Sequence, residues 1–163
     1  MRNQVKLVLI ILVALTVWSC NSATIHKDMV EIDNQEWPIK DIKKFEFEIS
    51  DASMPADVIY LVRNAINYPY YNLYLKCSLK DSSGNVIKTG MEELILFDEQ
   101  TGKPKGDGMG DLFDHEVAAA QFTGVKFPKK GTYFFEIQHN MRPDPLTGIM
   151  SIGIEIKDPS LEK

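Results

Sequence analysis

The chain predicts an all-β fold, a two-layer antiparallel β-sandwich of about eight strands with jelly-roll or immunoglobulin-like connectivity. Period-two alternation of apolar and polar residues returns in short segments, the mark of strands with one buried face. Clusters of Gly, Pro, Asp, Asn and Ser separate those segments. A helical stripe is absent apart from a weak one over residues 114–121.

Met29, Val30, Glu31 and Ile32 form a first, weak strand, and Trp37-Pro38 marks a corner. Phe45, Phe47 and Ile49 then alternate with Lys44, Glu46 and Glu48, and the strand stops at residues 51–55. Residues 58–62 are a continuous apolar run rich in β-branched residues, as in a central strand covered on both faces. Pro69 stiffens the corner at residues 67–72, after which Leu73, Leu75, Cys77 and Leu79 face the core opposite Tyr74, Lys76, Ser78 and Lys80. Asp81-Ser82-Ser83-Gly84-Asn85 turns that strand into a hairpin with the segment from Val86 to Phe97, whose Glu92, Leu94 and Leu96 share a side.

Residues 99–116 read as a long irregular loop containing Gly106, Gly108 and Gly110 with Asp107, Asp111 and Asp114. A short strand is expected over residues 122–127. Tyr133, Phe135 and Ile137 then alternate with Phe134, Glu136 and Gln138, ending at Met141-Arg142 and the Pro143-Asp144-Pro145 corner. Ile152, Ile154 and Ile156 oppose Gly153, Glu155 and Lys157 in the last strand, and residues 160–163 are expected to fray.

The first 19 residues have the form of a lipoprotein signal peptide. Arg2 and Lys6 precede a twelve-residue run, 7–18, apolar but for Thr16 and too short to span a bilayer, and Ser19-Cys20 resembles the end of a bacterial lipobox. Cys20 is therefore the expected lipid attachment, residues 20–27 a tether, and residues 28–159 the sandwich. Signal removal takes the formal charge from −5 to −7, because residues 1–19 hold two cations and no acid. Residues 21–24 lack an acidic run, which favours a periplasm-facing protein without choosing between inner and outer membrane.

An acidic chain with no long basic run excludes ordinary nucleic-acid binding. The glycine loop lacks the Lys-Ser/Thr of a P-loop, and its acids match no calcium-loop spacing. His26, His115 and His139 lack zinc spacing, and His139 is expected at the end of a buried row, hydrogen-bonded. With no nucleophile elbow and Cys77 in a core row, neither an enzyme, a cofactor nor a small-molecule substrate is expected.

Three motifs resemble one family. Arg63-Asn64 with residues 67–75, the Gly106–Asp111 stretch, and Phe127-Pro128, Gly131, Tyr133 and Phe135 with Met141-Arg142, Leu146, Gly148 and Gly153 are similar, in order and spacing, to the GldH gliding-motility lipoproteins of Bacteroidetes. The resemblance implies a membrane-tethered envelope component linked to type IX secretion, acting through contacts with other motility or secretion proteins. Arg63, Asn64, Tyr68, Tyr70, Asp111, Met141 and Arg142 are the candidate partner surface, on the expectation that their segments meet at one end. The alternative is a lipid-anchored glycan-binding module, which requires coplanar exposed rings among Trp37, Tyr68, Tyr70, Tyr71 and Tyr74.

Overall fold

The computed structural model describes residues 23–161. Cys20 and the signal segment lie outside the described residues. Among the described residues there are eleven strands: β1 (Thr24–Glu31), β2 (Glu36–Trp37), β3 (Lys43–Ile49), β4 (Asp57–Ala65), β5 (Asn72–Asp81), β6 (Val86–Ile95), β7 (Asp107–Met109), β8 (Leu112–Ala118), β9 (Gly131–His139), β10 (Leu146–Thr147) and β11 (Ile149–Lys157). One sheet runs β1-β11-β4-β8-β7 and the other β3-β9-β5-β6, while β2 and β10 make a small ribbon. Every pairing is antiparallel. Leaving aside the short β2, β7 and β10, successive strands change sheet at each step except for the β5–β6 hairpin. That order is a jelly roll, one of the two expected connectivities.

Alternation decides which side chains fill the gap between the sheets. Phe45 and Phe47 of β3, Leu73, Leu75 and Leu79 of β5, and Tyr133, Phe135 and Ile137 of β9 face Tyr60 and Val62 of β4 and Ile152, Ile154 and Ile156 of β11, all buried. Burying each such side chain contributes about 1.5–3 kcal/mol before the entropy of ordering it. Cys77 lies in this core with the Tyr60 hydroxyl donating to its Sγ at 3.2 Å, and burial pushes the thiol pKa up to about 12. It behaves as a small hydrophobe.

Several expectations are corrected. β1 begins at Thr24, so residues 24–27 pair with β11 instead of belonging to the tether. β4 is central in its sheet, but its outer side carries no further layer: Arg63 is exposed, and the buried Leu61 lies in a row with Met29, Gly153 and Glu116. Ionic rows flank it, with Lys27 Nζ 2.9 Å from Glu155 and 3.1 Å from Glu116 on one side. The irregular region contains the β7–β8 hairpin, which extends the five-stranded sheet; residues 114–118 are strand, with no helical stripe. Residues 122–127 form no strand. A 3-10 turn ends at Phe122, and Val125 makes a single bridge to Ala56.

Candidate functional site

β4 runs out at Ala65, and the chain must then cross between the sheets to start β5 at Asn72. Three strand ends fasten this corner. The Ala65 amide donates to the Gly148 carbonyl at 2.9 Å, the Ile66 amide to the Asp111 carbonyl at 2.7 Å, and the Tyr71 carbonyl accepts the Leu96 amide at 2.8 Å. Tyr68 turns inward, 5% exposed, and its hydroxyl donates to the Asn72 carbonyl at 2.8 Å. Gly148 has φ +88°, and a Cβ there would stand 2.8 Å from Tyr68 Cα. Only glycine meets both the backbone conformation and that approach.

Asn64 is fully buried beside His115. His115 Nε2 lies 2.8 Å from Asn64 Oδ1, while Asn64 Nδ2 donates to the Ala65 carbonyl at 2.9 Å. Because the Asn oxygen only accepts, the ring is the Nε2–H tautomer. Burial lowers the His115 pKa against the upward pull of Asp114. Gly106 packs onto this arrangement, where a Cβ would come 2.7 Å from His115 Nδ1.

Arg63 points the other way, onto the outer face of the five-stranded sheet. Its Nε and a terminal nitrogen donate to the two Asp114 carboxylate oxygens at 2.7 and 2.9 Å. The pair holds the Asp114 pKa below its ordinary range. Asp111 contributes its backbone carbonyl to the corner and leaves its side chain exposed.

Tyr70 packs edge-on against Tyr68, ring centres 5.6 Å apart, and forms a ridge between two depressions. The larger, of about 460 Å³, is lined by Tyr70, Tyr74, Met91, Asn140, Met141, Arg142 and Pro143. The end of β9 holds one wall, since the Asn140 amide donates to the Tyr74 carbonyl at 2.7 Å and the Tyr74 amide lies 3.3 Å from Met141 Sδ. The other depression, of about 310 Å³, lies between the corner and residues 97–104, with Phe113 at its floor.

The corner, the glycine stretch and the β9 end therefore meet at one pole of the sandwich. The seven nominated residues divide within it. Asn64 and Tyr68 are internal, Arg63 lies on an outer sheet face, Asp111 is exposed on the hairpin turn, and Tyr70, Met141 and Arg142 line the groove. Sequence reasoning did not nominate Met91, Asn140 or Pro143. The outward rows of the β5–β6 hairpin could have brought Met91 forward, since it pairs with Lys76 beside Tyr74.

The rings needed for a glycan platform are arranged otherwise. Trp37 is fully buried, donating from Nε1 to the Asp41 carbonyl at 2.7 Å, and Tyr68 and Tyr70 meet at 73°. His139, expected to be hydrogen-bonded, is fully buried edge-on to Trp37 at 5.3 Å, with the Trp37 backbone beside its ring, and among the described residues neither ring nitrogen meets a partner at full hydrogen-bond geometry. Among the described residues no group of three or more His, Cys, Asp or Glu side chains could hold a metal ion, and no helix is long and apolar enough to cross a membrane.

A family profile described as GldH lipoprotein matches residues 24–156. The chain is 26% identical to a protein of Christiangramia forsetii named gliding motility lipoprotein GldH homolog, covering 96% of this chain and 98% of that one. It is 20% identical to the gliding motility lipoprotein GldH of Flavobacterium johnsoniae, over 91% and 94% of the two chains. Among solved structures, a carbohydrate-binding module specific for non-crystalline cellulose aligns at 12% identity and a TM-score of 0.39, over 80% of this chain and 72% of that one, too loosely to bear on fold or ligand. The match over residues 24–156 takes in β1 through all but the last residue of β11 and all three motifs, and on it the chain belongs to the GldH lipoprotein family.

Proposed function

We propose that this protein is a lipid-anchored, non-enzymatic component of the gliding-motility apparatus in the cell envelope, linked to type IX secretion and working through contacts with other envelope proteins. The observation that carries the reading is the convergence, at one pole of the jelly roll, of the first motif, the glycine stretch and the Met141-Arg142, Leu146 and Gly148 part of the third, whose Phe127–Phe135 part runs back along β9 toward the other end. The family name and the relatives' names support the motility assignment.

The first described residues and the motif pole lie at opposite ends. Thr24 pairs with Lys157, which pairs with Asp57 at the start of β4, whereas the motif pole is where β4 ends. The Asp158 amide donates to the Ala23 carbonyl at 2.8 Å, so the chain is tied to the sheet from residue 23. With lipid on Cys20, few residues remain between membrane and fold, a reach of about 10 Å. One acyl chain holds a protein marginally and two or more hold it stably. The nine residues of β4 then raise the motif pole about 30 Å above the anchored end.

The test is a deletion strain complemented with the intact gene, with Cys20→Ala, or with the triple variant Arg63→Gln, Tyr70→Ala, Arg142→Gln. Surface spreading, secreted protein and palmitate labelling are measured. The expected result is loss of spreading and secretion on deletion, loss of label and function with Cys20→Ala, and loss of function with label retained in the triple variant. A deletion strain that spreads and secretes normally overturns the reading.

A further inference from the structure

We propose that the groove at the motif pole receives a peptide segment of a partner protein, seating one apolar side chain against Tyr70, Tyr74, Met91 and Met141 with a neighbouring carboxylate on Arg142. This rests on the protein-contact reading above and adds the chemistry of what is recognised.

The walls are apolar yet open to water. Met91 is 53% exposed and Tyr74 37% exposed, although both lie beside the half-buried Tyr70 and Met141 in a groove of about 460 Å³. That volume accepts one or two large side chains. Covering such a surface is favourable, and two methionines let the walls adjust to the shape of the guest. The frame behind them is fixed by the Tyr74 contacts to Asn140 and Met141 and by Tyr70 against Tyr68, so little ordering remains to oppose binding.

Arg142 gives the site its sign. Lys27, Lys43, Arg63, Lys80 and Lys157 each have a carboxylate within 4.0 Å. Arg142 is exposed at the groove's rim and makes no ion pair or hydrogen bond among the described residues. A planar guanidinium beside an apolar floor matches a carboxylate next to an apolar group.

Position selects the source of that chemistry. The groove is at the pole remote from the start of β1, away from the lipid-bearing end, so a bilayer surface does not reach it. It is open along β6, an edge strand, which leaves room for a chain to continue past the anchored residue. A free fatty acid or similar small molecule would remain largely uncovered there.

The test uses the full lipidated chain in detergent micelles and fluorescent ten-residue peptides with blocked ends. Each peptide carries Leu, Met, Phe or Trp followed by Asp on a Gly/Ser background, and each has an Asn counterpart. Saturable binding of at least one Asp peptide is expected, weakened fivefold or more by Asp→Asn in the peptide or by R142Q in the protein. Applying both changes should cost little more than either alone. K130Q, at a distant turn, should bind as the parent does. Equal affinity for Asp and Asn peptides, or affinity unchanged in R142Q, overturns the proposal. So does R142-dependent binding of dodecanoate with no binding of any peptide, which would make the guest a small anion. If peptides fail while the deletion strain still loses spreading, only the groove chemistry falls; if the strain spreads normally, the motility reading falls and the peptide result still decides the groove.

Discussion

Residues 64–72 and the groove beside them share Tyr70, yet they use their atoms differently. In the corner, Asn64 bonds His115, the Tyr68 hydroxyl caps the Asn72 carbonyl, and Gly148 admits the Tyr68 backbone. In the groove, Met91 and Tyr74 remain open to water and Arg142 has no partner among the described residues. A motif that identifies a family thus combines residues that hold a pole in shape with residues that the shaped pole presents. Mutation separates the two groups, because the first should show in stability and the second in binding.

The largest effect is expected from Tyr68→Ala, which empties a buried ring site and leaves the Asn72 carbonyl without its donor, at about 4 kcal/mol in urea denaturation. Tyr68→Phe, losing only the hydroxyl, should cost about 1 kcal/mol. An alanine at position 68 costing no more than the phenylalanine would erase the distinction between corner and groove.

Gly148→Ala should cost about 3 kcal/mol, because positive φ and a close backbone neighbour act together. The equilibrium m-value should stay unchanged if only the native state is strained. Asn64→Ala should cost about 2 kcal/mol by leaving His115 Nε2 buried without its acceptor. Asn64→Asp offers an acceptor again, and recovery that depends on pH would confirm the pair.

Acid should loosen the same pole. Burial lowers the pKa of His115 and His139, so the folded protein keeps both rings neutral where the unfolded chain already binds protons. Their contribution is complete above about pH 6.5, the ordinary histidine value, and is lost as pH falls from there toward the folded-state values. For His139, the Asp144 carboxylate and the nearby Trp37 backbone oppose the shift without reversing it. His139→Phe, which keeps a ring against Trp37, should flatten the stability curve between pH 6.5 and 5; an unchanged slope would remove His139 from this account. Arg142→Gln should change stability least, within about 0.5 kcal/mol, since nothing in the fold depends on it.

The strands that were legible in the sequence are those whose inward rows are uniformly apolar. β3, β5, β9 and β11 declare themselves through Phe45-Phe47-Ile49, Leu73-Leu75-Cys77-Leu79, Tyr133-Phe135-Ile137 and Ile152-Ile154-Ile156. β8 does not declare itself, because its inward row contains the polar His115, whose Nε2 is satisfied by Asn64. β7 is Asp-Gly-Met and has no pattern to read. Phe122, Val125 and Phe127 suggested a strand, but they enter the core singly around a turn in which Gly124 takes φ +61°. Within the site, Tyr68 as a corner tyrosine was foreseeable from Pro69 and the strand that follows. The Arg63 partner was not, because only the register across β4 and β8 puts Asp114 directly opposite.

By itself the sequence determined the sandwich class, most core rows, the β5–β6 hairpin and membership of the family. These follow from local terms: alternation sets which face of a strand is apolar, and turn residues set where it stops. Only the tertiary structure decided that the connectivity is a jelly roll, that Asn64 and Tyr68 are framework, and that Tyr70, Met141 and Arg142 share a groove with Met91. Those outcomes depend on pairings between residues tens of positions apart, from Arg63 with Asp114 to Tyr74 with Met141, which form only when strands distant in sequence come together in one sheet.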